Sequence, residues 1–288
     1  MSGDASFYRT ELLIGPDALK KLEEAHVAVF GMGGVGSYAA EGLARAGVGH
    51  LTLVDFDTIG RTNLNRQIMA LESTIGRPKV EAMGDRVLDI NPACVVDRHQ
   101  TFFDREQIAT LLKRPYSLVI DAIDSFNPKI TLMVETVKSG LPLLSAMGAA
   151  AKIDPTMVTA CDISETRICP FARRIRKRLR NFGIERGITV VASVEPPIMP
   201  YHPDEIPGER CEVTLTRGRP RMIQGSIGYM TAIFGMMLAG VAVQRLTGLT
   251  TAAQTPRGFS GRTAPSFPPE EGESEEENEL QINPVERG

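Results

Sequence analysis

The chain has 288 residues, 42% of them hydrophobic and 23% charged, enough to bury one large core or two small ones. A formal net charge of -3 excludes a protein that coats nucleic acid with its whole surface, while leaving room for a local basic face. The cysteines Cys94, Cys161, Cys169 and Cys211 lie far apart and form no CxxC pair, which excludes a disulfide framework and a four-thiolate structural zinc and points to a reducing cytoplasm.

The N-terminal segment MSGDASFYRTELLIG has no basic run followed by an apolar core, so no secretory signal is expected. From His26 onward short β-branched runs alternate with helical runs, the pattern of a parallel α/β sheet. His26-Phe30 (HVAVF) reads as the first strand, Gly34 to Ala46 as a glycine-initiated helix, and His50-Val54 (HLTLV) as the second strand. Lys79 to Asp89 is a helix ended by Asn91-Pro92. Strand Ala93-Val96 then precedes helix Arg105-Leu112, and strand Ser117-Ile120 precedes helix Pro128-Ser139, which stops at Gly140 before strand Pro142-Ser145.

Past Ala146 the texture changes to isolated strands, Met157-Ala160 and Thr189-Ala192, a basic helix near Phe171-Arg180, and loops rich in Pro and Gly, expected to pack as an elaboration on the same sheet. Met222 to Gln244 carries no charge over twenty-three positions, the length of a membrane span. Gly225, Gly228, Gly235 and Gly240 and the polar Gln224, Ser226, Tyr229 and Thr231 dilute it, so a buried core or interface helix is expected. From Thr250 the chain turns rich in Thr, Pro, Gly and Glu, including Glu270-Glu271 and Glu275-Glu276-Glu277, and is expected to be a disordered acidic tail.

Gly31-Met32-Gly33-Gly34-Val35-Gly36 follows a strand and opens a helix, and Asp55 ends the next strand, the context of a dinucleotide fingerprint. Glycines let backbone amides approach phosphate oxygens, the helix N-terminus adds a favourable dipole, and Asp55 can accept hydrogen bonds from ribose hydroxyls. That loop suits a nicotinamide dehydrogenase equally well, so the cofactor must be chosen by other residues. Asp55-Phe56-Asp57, Asn63-Leu64-Asn65-Arg66-Gln67, Gly76-Arg77-Pro78-Lys79 and Asp121-Ala122-Ile123-Asp124 follow in order. Two cations and a second acid around phosphates fit a triphosphate with magnesium: Arg66 as a fork on β/γ oxygens, Lys79 as a point charge, Asp124 as the metal ligand.

Gly-x-Gly-Gly-x-Gly, Asp-x-Asp, Asn-x-x-Arg-Gln, Pro-Lys and Asp-x-x-Asp in that order resemble the ThiF, MoeB and ubiquitin-activating superfamily, which adenylylates carboxylates. The resemblance implies a doubly wound, mostly parallel Rossmann-like sheet with a C-terminal α+β elaboration. It implies ATP and Mg2+, with Asp55 on ribose, Asp57 beside it, and Asn63, Arg66 and Lys79 on phosphates. It places Arg9 on the nucleotide of a partner subunit in a homodimer. Over about residues 7 to 246 the chain resembles the tRNA threonylcarbamoyladenosine dehydratases, through Arg9-Thr10-Glu11-Leu12-Leu13-Ile14-Gly15, Ser145-Ala146-Met147-Gly148-Ala149 and Val194-Glu195-Pro196-Pro197. Residues 1-249 then form one adenylylating domain, with a nucleotide-binding part at 26-150 and a substrate-side elaboration at 151-249, before the tail at 250-288.

Independently of family, Arg173, Arg174, Arg176, Lys177, Arg178 and Arg180 place six cations within eight residues, spread over much of a helix circumference, and suit tRNA phosphates. Cys161 and Cys169 read as small buried residues, and Gln224-Gly225-Ser226 stands where some relatives carry a cysteine. The substrate expected is tRNA carrying threonylcarbamoyladenosine, with a sulfur-relay protein as a further candidate partner. The rival readings are adenylylation of the C-terminal glycine of a small sulfur-carrier protein, a nucleotide-sensing module without catalysis, and a dehydrogenase.

Overall fold

A computed structural model describes residues 5-199 and 224-249. The acidic tail from Thr250 and Cys211 lie outside the described residues.

Two short helices, α1 (Tyr8–Ile14) and α2 (Pro16–Glu23), precede the alternating unit β1 (His26–Phe30), α3 (Gly36–Ala46), β2 (His50–Val54), α4 (Lys79–Ile90), β3 (Val95–His99), α5 (Arg105–Leu111), β4 (Leu118–Asp121), α6 (Phe126–Lys138) and β5 (Leu143–Ala146). Strand β6 (Val158–Asp162), helix α7 (Pro170–Arg180), strand β7 (Thr189–Ser193) and helix α8 (Gly228–Thr247) follow. The sheet has seven strands in the order β3-β2-β1-β4-β5-β7-β6, all parallel except β6, which runs antiparallel to β7.

The apolar runs in β1, β2 and β4 arise because helices cover both faces. On one face Val27, Val29, Leu51, Leu53 and Ile120 meet Leu43 of α3, Met83 of α4 and Phe234 of α8. On the other, Ala28, Phe30 and Val119 meet Ile108 of α5, Met133 of α6 and Ile175 of α7.

Three readings of the sequence are corrected. The C-terminal strands do not lie on the sheet; they extend it, because β7 pairs with β5 through Leu144↔Thr189 and β6 then closes the edge. The third strand begins at Val95 and runs through Asp97, Arg98 and His99, polar residues tolerated because the strand sits at an edge where Arg98 pairs with Glu81 and Asp85. The helix expected from Pro128 begins at Phe126, with the proline still in the first turn, where its missing N–H has no intrahelical role.

Helix α8 is long and apolar enough to cross a membrane by length and composition. It serves instead as a core helix, with Met230, Phe234, Leu238 and Ala242 buried against α3. Its glycines allow the close approach: a Cβ on Gly235 would lie 2.4 Å from the Val35 carbonyl oxygen.

Candidate active site

Strand order reverses between β1 and β4, so the chain leaves these neighbours in opposite directions and opens a crevice beyond their carboxyl ends, where doubly wound sheets take ligands. The loop from Gly31 to Gly36 fills one side of it. Gly31 has φ of +93°, and a Cβ there would sit 2.9 Å from the Ala122 carbonyl oxygen; a Cβ on Gly36 would sit 1.7 Å from the Gly31 carbonyl oxygen. The turn therefore accepts no side chain at either end. A Cβ on Gly33 would meet no protein atom within 4 Å, so that backbone faces open space from which a phosphate can approach. Gly34 packs against the Arg66 carbonyl oxygen and Thr231, which a Cβ there would approach to 3.1 and 2.9 Å.

Asp55 is buried at the end of β2 and braces the loop. Its Oδ2 accepts from the Met32 N–H at 2.5 Å and its Oδ1 from the Asp57 N–H at 2.8 Å. Burial raises its pKa above the usual carboxylate value, with the Lys79 charge and the two N–H donors opposing.

Lys79 is the first residue of α4. Its N–H donates to the Asp57 carbonyl oxygen at 3.0 Å and its Nζ to Asp57 Oδ2 at 2.7 Å. The lysine side chain is only 7% exposed while Asp57 is 45% exposed, so the cation faces the crevice with one replaceable partner. Asn63 uses its Oδ1 to accept from the Gly60 N–H at 3.0 Å, which closes a tight turn and leaves its Nδ2 for a ligand. Arg66 is half-buried and donates to the Thr62 carbonyl oxygen at 2.8 Å and to Asn65 Oδ1 at 2.9 Å, which holds it along the crevice rim.

At the end of β4 the two aspartates separate. Asp121 is sealed, bound by Lys129 Nζ at 2.8 Å and by the Ser145 hydroxyl at 2.7 Å. Asp124 is exposed and, among the described residues, accepts only from the Ser125 hydroxyl, at 3.3 Å. Reading the sequence missed Lys129 as the partner of Asp121. The signal was a lone lysine beside Ile130, Leu132 and Met133, at a position where an apolar residue belongs.

The structure thus brings together Gly31, Gly33, Gly34, Gly36, Asp55, Asp57, Lys79, Arg66 and Asp124. Arg9 stands apart, exposed on α1. The basic helix α7 buries Ala172, Ile175 and Leu179 and leaves Arg173, Arg174, Lys177, Arg178 and Arg180 exposed. Arg176 differs from these five: it turns inward and donates to the carbonyl and hydroxyl oxygens of Thr166. Arg174 stacks over Phe126, 4.7 Å from the ring centroid, which places α7 beside the strand end that carries Asp124. Cys169 is buried at the start of α7, whereas Cys161 is half-buried, and burial raises its thiol pKa. Among the described residues, a His/Asp group within metal-ligating reach, His26, His50 and Asp97, lies on β1, β2 and β3, away from Asp124.

Fold and crevice define a Rossmann-like protein built to hold a phosphorylated nucleotide at a topological switch point. The chain belongs to the ThiF family, which matches residues 8-273, and within it to the tRNA threonylcarbamoyladenosine dehydratases. It is 41% identical over 242 residues to the dehydratase of Bacillus subtilis, covering 83% of this chain and 94% of that protein. To the Escherichia coli dehydratase it is 36% identical over 252 residues, covering 83% and 92%. The crystal structure of the Escherichia coli enzyme in complex with ATP matches with a TM-score of 0.74 at 35% identity, over 84% of this chain and 94% of that one.

Proposed function

We propose that this chain is an ATP-dependent tRNA threonylcarbamoyladenosine dehydratase. One observation carries the reading: a single crevice joins a phosphate loop whose Gly33 backbone faces open space, a buried lysine with a replaceable partner and an exposed aspartate. Relatives of that name share most of the chain, and the Escherichia coli one has been solved with ATP and with AMP.

In the first step an oxygen of the threonyl carboxylate attacks the α-phosphorus and pyrophosphate leaves, giving an acyl adenylate. In the second, a group of the same side chain attacks the acyl carbon, closing a ring and expelling AMP with the former carboxylate oxygen. Cyclisation within one side chain has an effective concentration on the order of 10^5 M or more when geometry is right, so no external nucleophile is needed. The loop amides, Arg66 and Lys79 meet the charge that grows on phosphate, with Asp55 and Asp57 fixing loop and ribose. Asp124, an exposed carboxylate beside the phosphate loop, is the residue that would hold magnesium, and the ion would supply charge neutralisation at the phosphates.

The exposed cations of α7 receive the tRNA backbone. Helix α1 buries none of its own residues and exposes Tyr8, Leu12 and Leu13 beside Arg9, which suits docking on a second copy and delivery of Arg9 to that copy's nucleotide. The setting is cytoplasmic, in keeping with free Cys94, Cys161 and Cys169.

Adenylylation of a sulfur-carrier protein is the second reading. The Escherichia coli molybdopterin-synthase adenylyltransferase is 36% identical, but over only 138 residues, 48% of this chain. The deciding experiment incubates the protein with ATP, magnesium and tRNA bearing threonylcarbamoyladenosine, then weighs the digested nucleosides. Loss of one water is expected; an unchanged nucleoside alongside an adenylylated carrier protein would replace this reading with the second. Inactive Arg9→Ala and Lys79→Ala proteins mixed together should regain activity if the site is completed by a partner subunit.

A further inference from the structure

Three lysines are buried in the described structure, and two of them hold aspartates: Lys129 with Asp121 and Lys79 with Asp57. The third, Lys152, is 4% exposed and takes part in no ion pair or side-chain hydrogen bond among the described residues. Lys152 lines a cavity of about 170 Å³ together with Ala151, Ile153, Met199, Gly225 and Ser226 among others. Burying a lone cation is costly unless an anion joins it.

The loop that carries Lys152 is fixed on every side, so the missing partner does not reflect a loose segment. Ala151 holds a left-handed φ of 60°, a strain that persists only where its surroundings impose it. Its N–H donates to the Gly225 carbonyl oxygen at 2.8 Å, and its carbonyl oxygen accepts from the Ile198 N–H at 2.8 Å. The Glu195 carboxylate is committed to the N–H groups of Ile153 and Asp154 at 3.0 to 3.1 Å. Tyr229 donates its hydroxyl proton to the Ile153 carbonyl oxygen at 2.8 Å.

The cavity also adjoins the phosphate side of the crevice. Asn65 Nδ2 donates to the carbonyl oxygen of the cavity residue Ser226 at 2.9 Å, and Arg66 is the next residue in the chain. A small pocket with mostly aliphatic walls, one cation and a wall beside Arg66 suits a short aliphatic group ending in a carboxylate. It does not suit a sugar-phosphate backbone.

We infer that Lys152 is a substrate-binding residue: it receives the threonyl carboxylate of the modified adenosine and presents it to the α-phosphate. This rests on the dehydratase reading for the identity of the substrate. The test uses full-length Lys152→Met and Lys152→Arg, measuring melting temperature, ATP affinity, affinity for modified and unmodified tRNA, and turnover. Lys152→Met should melt no lower than the parent, since it relieves a buried charge, and should bind ATP within about twofold. Its preference for modified over unmodified tRNA should fall on the order of 10- to 100-fold, the value of a charge-assisted contact, with Lys152→Arg recovering part of it. Equal weakening toward both tRNAs would assign Lys152 to backbone phosphate. A parallel loss of ATP affinity, a large drop in melting temperature, or unaltered preference would each reject the inference. If the parent protein binds modified tRNA selectively through Lys152 but removes no water, the dehydratase reading fails while the carboxylate site stands.

Discussion

Lys129 and Lys79 each hold an aspartate at the carboxyl edge of the same sheet, at 2.8 and 2.7 Å, in different surroundings. Lys129 and Asp121 are both fully buried; Ser145 completes the aspartate and the Ile123 carbonyl oxygen, at 3.0 Å, completes the lysine. That pair has no contact left to give. Asp57 is half exposed, so Lys79 can exchange it for an incoming phosphate without leaving a charge stranded. The closed ion pair fixes the floor under β4, and the open one is the pair proposed to meet the ligand; exposure of the acid separates the two.

Substitutions can break this comparison. Lys129→Ala strands a buried carboxylate and should cost about 3–5 kcal/mol of folding stability, read as a shift of the urea midpoint; a loss of activity with unchanged stability would contradict the scaffold role. Lys79→Ala should do the reverse. Its turnover should fall roughly 10^2 to 10^3-fold, as for removal of one preorganised donor, while the urea midpoint moves little. The same contrast should hold within α7. Arg174→Glu should weaken tRNA binding about tenfold and flatten its salt dependence, leaving ATP binding intact, whereas Arg176→Ala should lower the melting temperature by releasing the Thr166 contacts.

A pH-dependent effect belongs to the other end of the sheet. His26 stacks on His50 with ring centroids 3.4 Å apart, and burial, followed by the His50 charge, lowers its pKa to about 4. The unfolded chain, with a histidine pKa near 6.5, takes up the proton first as pH falls. Stability is therefore complete above pH 6.5 and declines toward pH 4. His26→Gln should flatten that decline relative to the parent in urea titrations across this window.

Local features were legible in the sequence because they are set by neighbours along the chain. HVAVF and HLTLV begin and end as strands where read, and the glycine spacing foretold the loop against Ala122. The third strand was misplaced because edge position, which permits Asp97 and His99, is a property of the whole sheet. Lys79 and Asp124 were legible as types, but the pairing of Lys79 across twenty-two residues with Asp57 was not. Nor was the lack of a partner for Lys152 among the described residues, which depends on what Glu195 and Gly225 do elsewhere. The inward turn of Arg176 likewise needed Thr166, in the loop before α7, to be placed, since composition treats all six cations alike.

The central claim is that ATP activates the substrate by transferring its adenylyl group to the threonyl carboxylate. Labelling that carboxylate with 18O in modified tRNA and following the label through one turnover tests this directly. One 18O should appear in the phosphate of AMP, because the oxygen that attacks the α-phosphorus leaves with it on ring closure. Label recovered in water or in inorganic phosphate, with AMP unlabelled, would contradict adenylylation.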